Sequence, residues 1–323
     1  MKFLKVICMG FYGIVFGVKG LFAAAKKRKE PAKARTVLKG RHAQMITAAR
    51  KGNIEAQIQL ATCYSDGDGV EQDYAEAAHW FGEAARLGDQ RGQFSMGVCY
   101  ANGQGVGQDY QAAVKSFRLA AEQGNSGAQV SLGLCLQKGL GISANQEEAV
   151  FWFRKAAEAG DPAGEVSLAS CLQLGKGVAQ DQVEAVEWFR KAAAQGSGEA
   201  EYNLGKCCQD GLGVEIDPAE AFKWFRAAAK KGLAQSEFEL ALCYFYGRGT
   251  DADYVEAYTW MSLAAKRAIP TSVELLTEWK TEMSPEQIEA GDRLVANLAP
   301  SQPKGPIEEP DLEDEVEGKF RVA

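Results

Sequence analysis

Through the middle of the chain, apolar residues fall at helical spacing in two alternating registers. One runs Ala56, Leu60, Cys63, spaced i, i+4, i+7, a single helix face. The other runs Ala185, Trp188, Phe189, Ala192, Ala193, a wider stripe spaced i, i+3, i+4, i+7, i+8. A Gly-x-Gly pair follows the first register and a single glycine such as Gly196 closes the second. A chain reversing direction needs backbone angles that glycine adopts at least cost, so the pair predicts the end of a first helix, A, and the single glycine the end of a second, B. Asp73, Asp109, Asn145, Asp181, Asp217 and Asp253 precede the B helices and can accept bonds from their unpaired N–H groups. Pro218, directly after Asp217, suits a first helical position.

This pattern repeats every 36 residues without a gap, as Asn53–Gly88, Asp89–Gly124, Asn125–Gly160, Asp161–Gly196, Ser197–Gly232 and Leu233–Ala268. A cysteine recurs at 63, 99, 135, 171, 207 and 243, and the glycine pair at 67/69, 103/105, 139/141, 175/177, 211/213 and 247/249. An isolated hairpin cannot cover both of its stripes, so neighbouring hairpins must stack, with the Trp-Phe pair filling the space between them. The expected fold is all-α, a right-handed α/α superhelix of six 36-residue helix hairpins with helical caps. The N-terminal cap is expected over residues 37–52 and the C-terminal caps over 269–299, as helices at Thr271–Lys280 and Ser284–Leu298. Ser284 and Gln287, with Pro285 between them, form a capping-box signature. Residues 300–323 carry four prolines and seven acidic residues and read as a disordered tail.

Charge divides the chain. Residues 1–36 hold nine Lys or Arg against Glu30 alone, while the remainder holds 27 basic against 42 acidic residues. An acidic body repels phosphate backbones, which excludes nucleic acid as the expected partner. Within the basic lead, Val6–Val18 is an apolar run of 13 residues followed by Ala23-Ala24-Ala25, the pattern of a secretory signal over residues 1–25. The run is short for a membrane span, but the cluster Lys26-Lys27-Arg28-Lys29 in the basic linker 26–36 resists translocation. Two readings therefore stand: export to the periplasm or the medium, or a retained membrane anchor with the repeats facing the cytoplasm. Too little apolar chain precedes Cys8 for a lipoprotein signal.

Ala128-Gln129, Leu132-Gly133, Gly139-Leu140-Gly141, Trp152-Phe153-Arg154-Lys155-Ala156-Ala157 and Gly160 together resemble the Sel-1-like repeat, a relative of the tetratricopeptide repeat. The resemblance covers residues 53–268 and implies a non-enzymatic adaptor that assembles protein complexes, in bacteria often in envelope, signalling or host-interaction roles. Ser116 in a Trp position, Met261 in a Phe position and Ala268 in a Gly position depart from the pattern. One branch of the family has a second cysteine in each repeat that ties helix A to helix B. That cysteine is missing here, so neither the bridge nor that branch's activity carries over.

Candidate chemistry is sparse. Cysteines one per unit on packed helices stand about 8–10 Å or more apart, beyond the roughly 7 Å a disulfide spans, so they read as small buried hydrophobes. Cys207-Cys208 reads the same way. With only His42 and His79 and no Cys-x-x-Cys, no tetrahedral metal set is expected. Asp66-Gly67-Asp68-Gly69 resembles the start of a calcium loop, but Val70 stands where a third oxygen ligand belongs. Both histidines read as surface residues, and no phosphate loop or strand-borne dinucleotide motif is present, so no catalytic residue and no cofactor are expected. The expected function is an adaptor that binds a protein or peptide along the A helices through Gln59, Ser95, Ser131, Ser167, Asn203 and Glu239. The alternatives are an envelope-associated or peptidoglycan-modifying enzyme and a passive structural spacer.

Overall fold

The computed structural model describes residues 42–298, and every regular element among them is helical. A first helix, α1, covers residues 42–50. Twelve helices follow in A–B alternation: α2 Ile54–Asp66, α3 Tyr74–Arg86, α4 Gln90–Asn102, α5 Tyr110–Glu122, α6 Ser126–Lys138, α7 Gln146–Glu158, α8 Pro162–Leu174, α9 Gln182–Ala194, α10 Gly198–Asp210, α11 Pro218–Lys230, α12 Ala234–Tyr246 and α13 Tyr254–Lys266. The last two are α14 Pro270–Glu282 and α15 Pro285–Leu298. The described residues form two compact units that divide between Asp217 and Pro218, and each is described by itself. The basic lead at 1–36, the first residues of the proposed N-terminal cap and the acidic tail lie outside the described residues.

The third repeat shows how sequence makes the hairpin. Asn125 caps α6 by accepting from the Ala128 N–H at 2.8 Å, which satisfies one of the donors that a helix start leaves open. Gly139 ends the helix at φ 71°, and its N–H returns to the Cys135 carbonyl. Gly141 also takes positive φ, at 68°, but its second requirement is space: a Cβ there would lie 2.3 Å from the Tyr110 carbonyl oxygen. The first glycine of the pair therefore turns the chain, and the second lets the turn press on the start of the preceding repeat's helix B. Asn145 then caps α7 through the Glu148 N–H. After Gly160, Asp161 accepts from the Ala163 and Gly164 N–H groups and starts the next A helix.

The B-helix caps follow the expectation at Asp73, Asp109, Asn145, Asp181 and Asp253. The A-helix caps were not anticipated: Asn53, Asp89, Asn125, Asp161 and Ser197 each accept from the first turn, and only Leu233 in the sixth repeat makes no such bond. Each stands directly after the single glycine that ends the previous unit, so one residue closes one hairpin and opens the next.

The core corrects one expectation about the Trp-Phe pair. The Phe position is the constant anchor: Phe153, Phe189 and Phe225 are 0% exposed, and Met261 fills the same place in the sixth repeat. Phe153 lies over Gly133, where a Cβ would stand 2.5 Å from its ring, so the small residue on helix A makes room for the ring from helix B. The Trp position is less constant. Trp80, Trp152 and Trp260 are buried, whereas Trp188 and Trp224 are only half-buried. Trp188 donates its indole N–H to Glu184 at 3.1 Å and carries the Lys191 ammonium 3.6 Å above its ring. It is an amphipathic lid over the repeat rather than the filler that its size suggests.

In the second unit, α15 packs on α13. The Tyr258 hydroxyl donates to Asp292 at 2.9 Å, and Gly291 lies against the Tyr258 ring. The Trp279 ring of α14 stacks on Phe245 of α12 with centroids 4.0 Å apart. Ser284 and Gln287 make the reciprocal capping box, Ser284 N–H to Gln287 Oε1 at 2.9 Å and Gln287 N–H to Ser284 Oγ at 3.3 Å.

Candidate partner-binding surface

Within the first unit the A helices lie side by side. Arg91 of α4 reaches Glu55 of α2 at 2.8 Å, and the Phe94 ring of α4 covers Gly127 of α6. The Gln137 amide of α6 approaches the Cys171 sulfur of α8 at 3.8 Å, and the Gln173 amide of α8 the Cys207 sulfur of α10 at 3.5 Å. Gln59, Ser95, Ser131, Ser167 and Asn203 occupy equivalent positions on these five helices. Glu239 holds the same position on α12 in the second unit. Gln59 is exposed, and the other five are half-buried.

Much of the hydrogen-bonding capacity along this row is spent inside the helices. The Ser131 hydroxyl donates to the Gly127 carbonyl at 2.8 Å, the Asn203 amide to the Glu199 carbonyl at 2.9 Å, and the Gln59 amide to Glu55 at 2.9 Å. Ser170, on the adjoining row, donates to Val166 at 2.8 Å. What such residues offer a visitor is small contour and oxygen lone pairs. Half-buried Phe94 and Leu134 stand beside them.

Two further polar rows have a regular logic that sequence reasoning missed. On the inner side of the A helices, Gln57, Gln93, Gln129, Glu165, Glu201 and Glu237 are all buried. Three of them meet a residue 30 positions later, at the end of their own helix B: Gln123 to Gln93 at 2.8 Å, Gln195 to Glu165 at 2.9 Å, and Arg267 to Glu237 at 3.1 Å. Burial pushes the Glu165 and Glu237 carboxyls above the usual carboxylate range, against the opposing effect of those partners. Along the B helices, Arg118 pairs with Glu148 at 2.8 Å and Arg154 with Glu184 at 2.9 Å, each linking one repeat to the next. Both rows keep the same 30-residue spacing, which a search for polar periodicity would have found.

The titratable groups show where reactive chemistry would have to come from. Cys99, Cys135, Cys171 and Cys207 are buried, and burial pushes their thiols up to about 11, so they hold little thiolate near neutrality. Among the described residues no group of three or more His, Cys, Asp or Glu is placed to hold a metal ion. His79 is exposed and lies edge-on to Trp80 at 4.9 Å. His42, expected at the surface, is instead buried against the turn at Gly69, because α1 lays it where later repeats place the start of a B helix. A shallow depression of about 660 Å³ lies at the third turn, lined by Leu136, Ile142, Ala144, Gln146, Glu148 and Gly177. Glu148 there is engaged by Arg118, and the Gln146 amide N–H donates to the Gln137 carbonyl, while the buried Gln146 Oε1 accepts from none of the described residues.

Tandem helix hairpins, each with a glycine-pair turn and an anchoring Phe or Met, define the chain as an α-helical repeat protein. It belongs to the Sel1 repeat family, whose pattern matches residues 54–89, 90–125, 126–161, 162–197, 198–233 and 234–268, one residue later at each start than the division read from Asn53. A Sel1 repeat protein from Oxalobacter formigenes is similar at 31% identity over 66% of this chain and 85% of that one, with a TM-score of 0.63. A protective antigen of uropathogenic Escherichia coli strains with an SLR fold is similar at 32% identity over 80% of this chain, with a TM-score of 0.53. The match spans only 63% of that antigen's own chain. A comparison with curated proteins finds no match. Sel1 repeats suggest a scaffold for protein–protein interaction, and proteins of the family are generally non-enzymatic. Among the described residues no helix is long and apolar enough to cross a membrane.

Proposed function

We propose that the protein is a non-enzymatic adaptor that holds a protein partner on the face formed by its A helices. One observation carries this reading: five A helices of the first unit lie side by side and present, in register, exposed Gln59 and half-buried Ser95, Ser131, Ser167 and Asn203, a row that runs across the unit. The buried, weakly acidic thiols favour the same reading over catalysis. The test is affinity capture with the full chain from native extract, compared with Ser167→Arg. A partner retained by the parent and lost by the variant, with an unchanged melting curve, supports the reading. A partner held equally by both would move the site elsewhere.

The apolar run Val6–Val18 and the basic cluster behind it support placement at the envelope, as an exported protein or as one anchored through residues 1–25. The mass of the native N-terminus distinguishes the two. A chain starting at Lys26 means export with cleavage, and intact Met1 in the membrane fraction means an anchor.

A further inference from the structure

Glu199 breaks the charge pattern of the A-helix face. At the equivalent position of the first repeat, Glu55 is satisfied by Arg91 of the second at 2.8 Å. The third and fourth repeats place Gly127 and Ala163 there, with no charge. The fifth places Glu199, and among the described residues no cation or hydrogen-bond donor is recorded on its carboxylate. The nearest cation along its own helix, Lys206, is committed to Asp210 at 3.4 Å and to Gln209 at 2.6 Å. Glu199 is exposed to solvent, yet the crowding of protein around it pushes its carboxyl upward through desolvation. A carboxylate that is accessible, crowded and without a counter-charge is the site on this face where a cation from outside gains most. Its surroundings add to this, because residues 42–217 hold 23 acidic against 13 basic residues.

The neighbouring side chains limit the shape of the visitor. Asn203 and Ser131 each spend a donor on their own helices, which leaves oxygen lone pairs and one Asn203 amide hydrogen toward the backbone of an extended strand. A helix satisfies its own backbone and needs only contour and apolar contact. Ala163 and Ser167 on α8 keep the approach open, while Leu134 and Phe94 supply half-buried apolar surface further along.

Resting on the adaptor reading above, we propose that Glu199 seats a lysine or arginine of a partner helix whose apolar face lies on Ala163, Leu134 and Phe94. The partner is thus a basic amphipathic helix: the charge of the seat disfavours an acidic partner, and the few donors left on the A helices disfavour an extended one.

The test uses the full chain and two synthetic 14-residue peptides, one of Leu and Lys at amphipathic helical spacing and its twin with Glu for Lys, followed by fluorescence anisotropy. The Lys peptide binds and the Glu peptide does not. Glu199→Gln, nearly isosteric, weakens the Lys peptide at least about threefold, the scale of an exposed ion pair, whereas Glu187→Gln on the exposed side of α9 leaves it unchanged. Ala163→Trp, at an exposed position one turn from Ser167, blocks it, with melting curves confirming that each variant is folded. If Ala163→Trp blocks but Glu199→Gln binds as the parent does, the cation seat is overturned and the A-helix reading stands. If Ala163→Trp binds undiminished, the A-helix face is not the site and both fall. Equal losses from Glu199→Gln and Glu187→Gln would reduce the effect to bulk charge and overturn the seat.

Discussion

The third and sixth repeats carry the same hairpin on unequal terms. In the third, Asn125 caps helix A, Phe153 anchors the core at 0% exposure, and Gly160 closes helix B at φ 80°. In the sixth, Leu233 makes no side-chain cap, Met261 takes the anchor, and Ala268 is forced to φ 58°, the only non-glycine residue with positive φ among those described. The turns and helix lengths are nonetheless alike, 13 residues for each of α6, α7, α12 and α13. The hairpin is therefore over-determined: losing a cap, a ring and a glycine costs stability at each place without changing the element that forms.

The comparison breaks hardest at the anchor. Phe153→Ala removes a fully enclosed ring that lies against Gly133, and cavity formation should cost about 3–5 kcal/mol by chemical denaturation. Trp188→Ala should cost clearly less, despite the larger side chain, because Trp188 is half-buried and its indole N–H bonds only within its own helix. Equal costs would mean that the Trp and Phe rows share the core equally.

At the closing turn the two repeats can be exchanged. No atom lies within 4 Å of a Cβ built on Gly160, so Gly160→Ala isolates the backbone penalty of the left-handed region, about 1–2 kcal/mol. Ala268→Gly should gain a comparable amount, because the looser unfolded chain that glycine brings offsets the left-handed penalty equally in both exchanges. Thermal melts of the two single variants, shifting in opposite directions, check both. At the opening turn, Asn125→Ala should cost about 1 kcal/mol and Leu233→Asn recover up to about that much.

Most of this architecture was legible because the sequence repeats. The glycine pairs, the B-helix caps and the capping box at Ser284 could each be read from residue type and spacing. The rest depended on which way a side chain faces. Trp188 and Phe189 are adjacent and both aromatic, and only the angle of about 100° between successive helical residues decides that one is enclosed while the other lies over a lysine. His42 was misplaced because its burial comes from the turn at Gly69, a contact far along the chain. The buried polar row was missed because Gln57, Gln129 and Glu165 look like solvated residues until their helix B is in place. The candidate surface could be named by register alone, whereas the engagement of Ser131 and Asn203 within their own helices could not.

The smallest effect concerns that buried row. The third repeat places neutral Gln129 there and the sixth places Glu237, 2% exposed and paired with Arg267, which is itself 42% exposed. Desolvation raises the Glu237 carboxyl above its ordinary value of 4.5, with Arg267 opposing the shift. The folded chain therefore holds this proton more tightly than the unfolded chain does. The resulting stability is fully present below about 4.5 and is lost as pH rises through the folded value. Other carboxylates act the opposite way: Glu83, held down by Arg86, loses its contribution as pH falls, so the whole-protein profile mixes the two signs. The informative quantity is the difference between Glu237→Gln and the parent. Its melting temperature relative to the parent should rise between pH 4 and pH 7, because only the parent pays for an ionised carboxylate in that window. A difference that stays flat, or that falls with pH, would mean that Arg267 neutralises Glu237 so well that the sixth repeat gains from the charge which the third does without.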